Sequence, residues 1–78
     1  RLAFSPDGLH LAAICPRYDR LVIFDVTGDG RVRTAADVEL DGRPMAVAPA
    51  TGGFFVLQRP ASDRRHVEPG WYDVYDHR

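Results

Sequence analysis

The residues of this chain whose types could do chemistry gather in one stretch, Arg59-Pro60-Ala61-Ser62-Asp63-Arg64-Arg65-His66-Val67-Glu68-Pro69-Gly70, with Trp71-Tyr72 directly after it. Three arginines and a histidine beside an aromatic pair are equipment for gripping a carboxylate or a phosphate, because guanidinium offers a planar fork of donors that matches those oxygens. Arg43, in the turn Asp41-Gly42-Arg43-Pro44, adds a further cation. In a binding role the contacts would fall to Arg43, Arg59, Arg64, Arg65, His66 and Trp71. The same stretch also reads as a solvated polar insertion, in which Asp63 and Glu68 neutralise some of the arginines and Trp71 packs at a sheet edge.

Other chemistries are poorly served. Asp25-Val26-Thr27-Gly28-Asp29-Gly30-Arg31-Val32 begins like a calcium loop, with oxygen ligands at positions one, three and five and glycine at six. The twelfth position should hold a bidentate glutamate and holds Ala36, with Asp37 one residue late. A plain hairpin turn is the expectation there, its aspartates accepting local backbone N–H bonds. His10, His66 and His77 lack metal-ligand spacing. No serine stands in a nucleophile elbow, no glycine-rich phosphate loop is present, and Cys15 has no histidine partner by motif. Neither a catalytic set nor a cofactor is expected from these residues alone.

Composition narrows the partners. Ten basic against eleven acidic residues give a net charge of -1, which argues against a nucleic-acid groove or an anionic membrane surface as the main partner. No apolar run approaches the roughly eighteen residues of a membrane helix. The single cysteine excludes an internal disulfide and fits a small buried hydrophobe at the end of an apolar run. All ten basic residues are arginine and asparagine is absent, a bias we assign to genome base composition. A chain of 78 residues buries only about 60% of its unfolded surface. The opening at Arg1 and the ending directly after an apolar run suggest a piece of a longer protein.

The elements that must position these residues are short strands. Leu2 to Val26 sets the pattern: an apolar run, the turn Ser5-Pro6-Asp7-Gly8, a second run Leu9 to Cys15, a polar break, and a third run Leu21 to Val26. Asp7-Gly8 and Gly52-Gly53 are tight-hairpin signals because such turns need positive φ. Thr27-Gly28-Asp29-Gly30 turns the third strand into the fourth. From Val32 to Leu40 the pattern has period two, with Val32, Thr34, Ala36, Val38 and Leu40 on one face and Arg33, Ala35, Asp37 and Glu39 on the other. A helix over Thr34 to Leu40 is the alternative, favoured by Ala35-Ala36. Leu21 to Phe24 and Phe54 to Leu57 are continuous apolar runs, as in strands covered on both faces.

The pattern repeats. Ala3-Phe4-Ser5-Pro6 aligns with Ala46-Val47-Ala48-Pro49, Leu11-Ala12-Ala13 with Phe55-Val56-Leu57, and Leu21-Val22-Ile23-Phe24-Asp25 with Tyr72-Asp73-Val74-Tyr75-Asp76. The extra residues of the second copy fall between Pro60 and Trp71. A unit of forty to fifty residues built of short strands has the period of a β-propeller blade.

At Phe4-Ser5-Pro6-Asp7-Gly8, at Val22-Ile23-Phe24-Asp25-Val26 with Asp29-Gly30, and at Gly42-Arg43-Pro44 leading to Ala46-Val47-Ala48-Pro49, the chain resembles β-propeller repeats. The resemblance is to the WD-repeat-like kind and to bacterial families that include propeller lactonases and YVTN-type surface repeats. The Trp-Asp pair of WD repeats is replaced by Phe24-Asp25 and Tyr75-Asp76, and the Gly-His pair is missing. Lactonase-like repeats often carry Pro-Arg-His where Pro44-Met45-Ala46 stands here, so no catalytic residue carries over to this strand.

The resemblance implies an all-β propeller fragment of antiparallel four-stranded meander blades. Residues 1–40 would form a first blade with a truncated first strand, and residues 41–78 a second blade lacking its fourth strand. The remaining blades of the parent, closing a ring of six to eight, would be the first partner. Meander order would put Pro16 to Arg20, Asp41 to Pro44 and Arg59 to Gly70 on one rim, where binding groups concentrate. The expected role is a binding scaffold that presents this rim to a protein or a small anionic ligand; the alternative is part of a propeller enzyme such as a lactonase-like hydrolase.

Overall fold

The computed structural model describes residues 1–63 and 65–73. Arg64, the carboxy-terminal part of the expected last strand and the Tyr75-Asp76 match lie outside the described residues. The protein is all-β, with two antiparallel sheets. The first has the order β1-β2-β3-β4, formed by Leu2–Phe4, His10–Cys15, Arg20–Val26 and Val32–Glu39. The second has the order β5-β6-β7, formed by Gly42–Ala50, Gly53–Pro60 and Glu68–Asp73. Both are meanders, each strand pairing with its neighbour in sequence.

Alternation along the strands builds one core between the sheets. Ala12 and Ile14 of β2 pair with Ile23 and Leu21 of β3, and all four point inward against Phe54 and Val56 of β6, with Leu40 closing one end. Leu21, Ile23, Phe54 and Val56 are fully buried. Burying each such side chain contributes about 1.5–3 kcal/mol. The complementary positions are open: Leu2 and Phe4 on the first sheet and Phe55, Leu57 and Trp71 on the second are each at least 40% exposed. Among the described residues the run Phe54 to Leu57 is therefore covered on one face only, whereas the outward residues Val22 and Phe24 of the run Leu21 to Phe24 are half-buried.

Thr34 to Glu39 is strand, not helix, but its alternation is interrupted. Ile23 pairs with Ala36 while Phe24 pairs with Thr34, so Ala35 is the extra residue of a β-bulge. Ala36 and Val38 pack against the core, whereas Val32 and Thr34 sit opposite Val26 and Phe24 and share their outward face. A bulge reverses the faces on its two sides, and no period-two count can see it.

The two units share one hairpin register, offset by one residue from the sequence match of their first strands. Phe4 pairs with Leu11, and 44 residues on Ala48 pairs with Phe55, so Phe4 is matched in the fold by Ala48 and not by Val47. Gly8 and Gly52 take the same left-handed φ, near +73° and +84°, which sets the hairpins 44 residues apart, one more than the match of Pro6 with Pro49. The aligned residues Ala12 and Val56 lie in the same core. Strand β7 pairs Phe54 with Tyr72 and Gln58 with Glu68, so it starts at Glu68, earlier than the apolar match at Tyr72 implied. The β6–β7 connection is therefore residues 61–67, much shorter than the stretch from Arg59 to Gly70.

Candidate functional site

The rim is built by three connections at one end of the sheets. Pro16–Tyr18 forms a 3-10 turn that ends on Asp19 in the left-handed region, φ 53°. The Leu40 N–H donates to the Asp19 carbonyl at 2.8 Å, joining the β2–β3 turn to the β4–β5 connection. Gly42 pairs with Pro60, which brings β5 beside the 61–67 loop. A Cβ at Gly42 would strike the Arg59 carbonyl, and its φ of +151° lies in the region that favours glycine.

On that rim Arg43 and Arg59 stand directly opposite one another across β5 and β6. Cross-strand partners share a face, and like charges in this position repel. Arg43 is exposed and Arg59 half-buried. The adjoining loop is ordered by Asp63, whose Oδ1 accepts from the Arg65 N–H at 3.1 Å and whose carbonyl accepts from the His66 N–H at 3.1 Å. His66 Nε2 lies 3.3 Å from Glu68 Oε2. Asp63 and Glu68 thus take up loop backbone and histidine, as a folded insertion would, while the arginine pair sits on the strands beside it. Arg64 lies outside the described residues.

Trp71 is not at the rim. It pairs with Phe55 on β6, the two rings 4.8 Å apart at 58°, and its ring leans towards Gly53, where a Cβ would meet Trp71 Cζ2 at 2.6 Å. Phe55 and Arg59 are four residues apart on the same face, about 13 Å of extended strand. Trp71 therefore shares the outer face of the second sheet with the arginines without touching the same small ligand.

A second cluster went unread in the sequence. His10 Nε2 lies 3.3 Å from Asp25 Oδ1, and Arg33 Nη2 lies 3.6 Å from Asp25 Oδ2, along a row that the register pairs across β2, β3 and β4. His10 also borders a cleft of about 110 Å³ between the hairpin turns of the two sheets, lined by Ser5, Pro6, Asp7, Thr51, Gly52 and Gly53. The chemistry there is structural in form. The Ser5 hydroxyl donates to Asp7 Oδ1 at 2.6 Å and accepts from the His10 N–H at 3.0 Å. A hydroxyl whose proton goes to a carboxylate is not being activated by an imidazole, so no relay of the nucleophilic kind runs through Ser5. The Ser5 hydroxyl, the Leu9 N–H and the charge of His10 hold the Asp7 carboxyl below its ordinary value.

The Asp25 to Val32 segment is a hairpin. Thr27 N–H donates to the Arg31 carbonyl at 2.8 Å, and Asp29 accepts from the Thr27 hydroxyl and from the Arg31 N–H. These bonds depress the Asp29 carboxyl, Thr27 contributing most. Cys15 ends β2 half-buried on the outward face, less enclosed than a core position. Comparison with protein-family models, with curated proteins and with solved structures finds no match.

Proposed function

We propose that the chain is a propeller-type repeat segment serving as a binding scaffold, whose rim takes an anionic group of a protein or small ligand. The observation that carries the binding role is the cross-strand pair Arg43 and Arg59. Their side chains leave the same face of the sheet, and a carboxylate or phosphate reaching the exposed Arg43 there would accept charge-assisted hydrogen bonds. Arg65 and His66 stand in the adjoining loop.

The propeller-type parent is supported by the meander order of both sheets, by the repeat length and by the open apolar side chains Leu2 and Phe4, a surface another sheet would cover. Against ring stacking stands the meeting of Ala12 with Val56. In a ring, matched residues point the same way round, whereas here they point at each other. A structure of a longer stretch of the parent decides this: a sheet over Leu2 and Phe4 with Val56 turned to a third sheet supports the ring, and an unchanged two-sheet sandwich removes it.

The binding role is tested by titrating phosphate and acetate into the 78-residue chain while following arginine Nε–H signals by NMR. Saturable shifts at Arg43 and Arg59, lost in Arg43→Gln, are expected. Equal response in an Arg43→Gln, Arg65→Gln double variant would sink it.

A further inference from the structure

Three Asp-Gly pairs occur in the chain, Asp7-Gly8, Asp29-Gly30 and Asp41-Gly42. Such a pair carries a latent reaction of its own backbone. The glycine nitrogen, with no Cβ beside it, attacks the aspartate Cγ; the N–H proton and the carboxyl hydroxyl leave as water, and a five-membered imide closes. Water then opens the ring. Opening at the Cγ carbonyl restores aspartate, and opening at the main-chain carbonyl leaves the chain running through Cβ as iso-aspartate. No reactant but water is needed. The carboxyl must be neutral, because a carboxylate repels the nitrogen lone pair and offers no hydroxyl to leave, and the side chain must be free to swing onto the nitrogen.

Two of the pairs are held against this. Asp7 Oδ1 accepts from the Ser5 hydroxyl at 2.6 Å and the Leu9 N–H at 2.9 Å, and the Gly8 N–H donates to the Ser5 carbonyl at 2.9 Å. Asp29 accepts from the Thr27 hydroxyl and from the Arg31 N–H at 3.2 Å, its Oδ2 lies 3.3 Å from Arg31 Nε, and the Gly30 N–H donates to the Thr27 carbonyl at 3.0 Å. Bonds to the ionised form hold both carboxyls below their ordinary value. Both the carbon to be attacked and the nitrogen are tied down in these turns. Asp41 differs. It stands between the end of β4 at Glu39 and the start of β5 at Gly42, it is exposed, and among the described residues no hydrogen bond or ion pair holds its carboxylate.

We propose that Asp41-Gly42 is a site of spontaneous iso-aspartate formation, the one of the three pairs that the fold leaves reactive. Its position gives the change a consequence. On one side the Leu40 N–H bonds the Asp19 carbonyl, and on the other Gly42 lies against the Arg59 backbone. One extra main-chain atom between those contacts loosens one or the other, and with it the seam where the β2–β3 turn, the β4–β5 connection and β6 meet.

Incubating the 78-residue chain in water enriched in heavy oxygen reads the site directly, because each cycle of ring closure and opening fixes one heavy oxygen at the aspartate. Cleavage at Arg17, Arg31 and Arg33 in ordinary water then puts the three pairs in different peptides for mass spectrometry. At mildly acidic pH and body temperature, uptake at Asp41 should exceed uptake at Asp7 and at Asp29 by about tenfold or more, the size of one or two hydrogen bonds to a charged group. In concentrated urea the three rates should converge. Thr27→Val, an exposed change, should raise uptake at Asp29 and leave Asp41 unaltered. Asp41→Glu, whose ring would have six members and closes slowly, is the unreactive control.

Equal uptake at Asp7, Asp29 and Asp41 in the folded chain overturns the proposal. So does an Asp41 that is silent when folded and active in urea, because the packing of Gly42 against Arg59 would then protect it. Unchanged uptake at Asp29 in Thr27→Val overturns the protective role of the turn bonds, and the selection of Asp41 falls with it.

Discussion

Asp7 shows how a turn residue becomes a stability switch. Its carboxylate accepts from the Ser5 hydroxyl and the Leu9 N–H, bonds that need the ionised form, and its pKa is lowered from 3.8. A depressed folded-state value means stability that is fully present above the unfolded value and is lost as pH falls through the folded one. The expected outcome is that Asp7→Asn is less stable than the unaltered chain at pH 7, and that the difference shrinks below pH 3.8. Urea unfolding at pH 7, 4 and 2.5 measures it; a difference that stays constant with pH would refute the account. Asp29 holds its own turn by the same means, through Thr27 and Arg31.

At the scale of elements, the sheets are aligned by close backbone approaches that only certain residues allow. Gly42 enters β5 at φ +151° with no room for a Cβ beside the Arg59 carbonyl. Replacing it strains the chain where β5 meets β6 and disturbs the Arg43 to Arg59 pair at once. Gly42→Ala should cost at least about 2 kcal/mol, within the range of a residue forced into a sparsely populated conformation plus a steric shift. The urea midpoint reads this, and a loss under about 0.5 kcal/mol, the size of an ordinary surface change, would show that β5 can move aside. The Ala35 bulge acts in the opposite sense, letting β4 put Ala36 and Val38 on the core while Val32 and Thr34 stay outside.

For the molecule as a whole, one shared core joins two sheets that each keep an open face. Leu2, Phe4, Phe55 and Leu57 are the exposed apolar side chains of those faces. Total stability for this length should be about 4–12 kcal/mol. Phe54→Ala, which empties the centre of the core, should cost about 3–5 kcal/mol and so leave the chain near its folding limit. Because Phe54 shares one buried cluster with residues of β2 and β3, amide exchange should speed up in both sheets together. Faster exchange confined to β5-β6-β7 would show that the two sheets fold independently.

The sequence by itself determined the strands, the turns and the all-β class, because alternation, apolar runs and glycine at positive φ are local properties of the chain. The rim was legible for the same reason: in a meander, odd and even connections fall at opposite ends, which placed Pro16, Arg43 and Arg59 together before any contact was known. Register and packing were decided only in three dimensions. The facing of the two sheets put Val56 and its match Ala12 in one core, and a single bulged alanine split the face of β4. The early start of β7 set Trp71 against Phe55, away from the arginines. The His10, Asp25 and Arg33 row arose from pairing among residues far apart in sequence, where spacing carries no signal. These outcomes follow from which hydrogen-bond ladder buries the most apolar surface, a sum over the whole sheet that no single stretch of sequence contains.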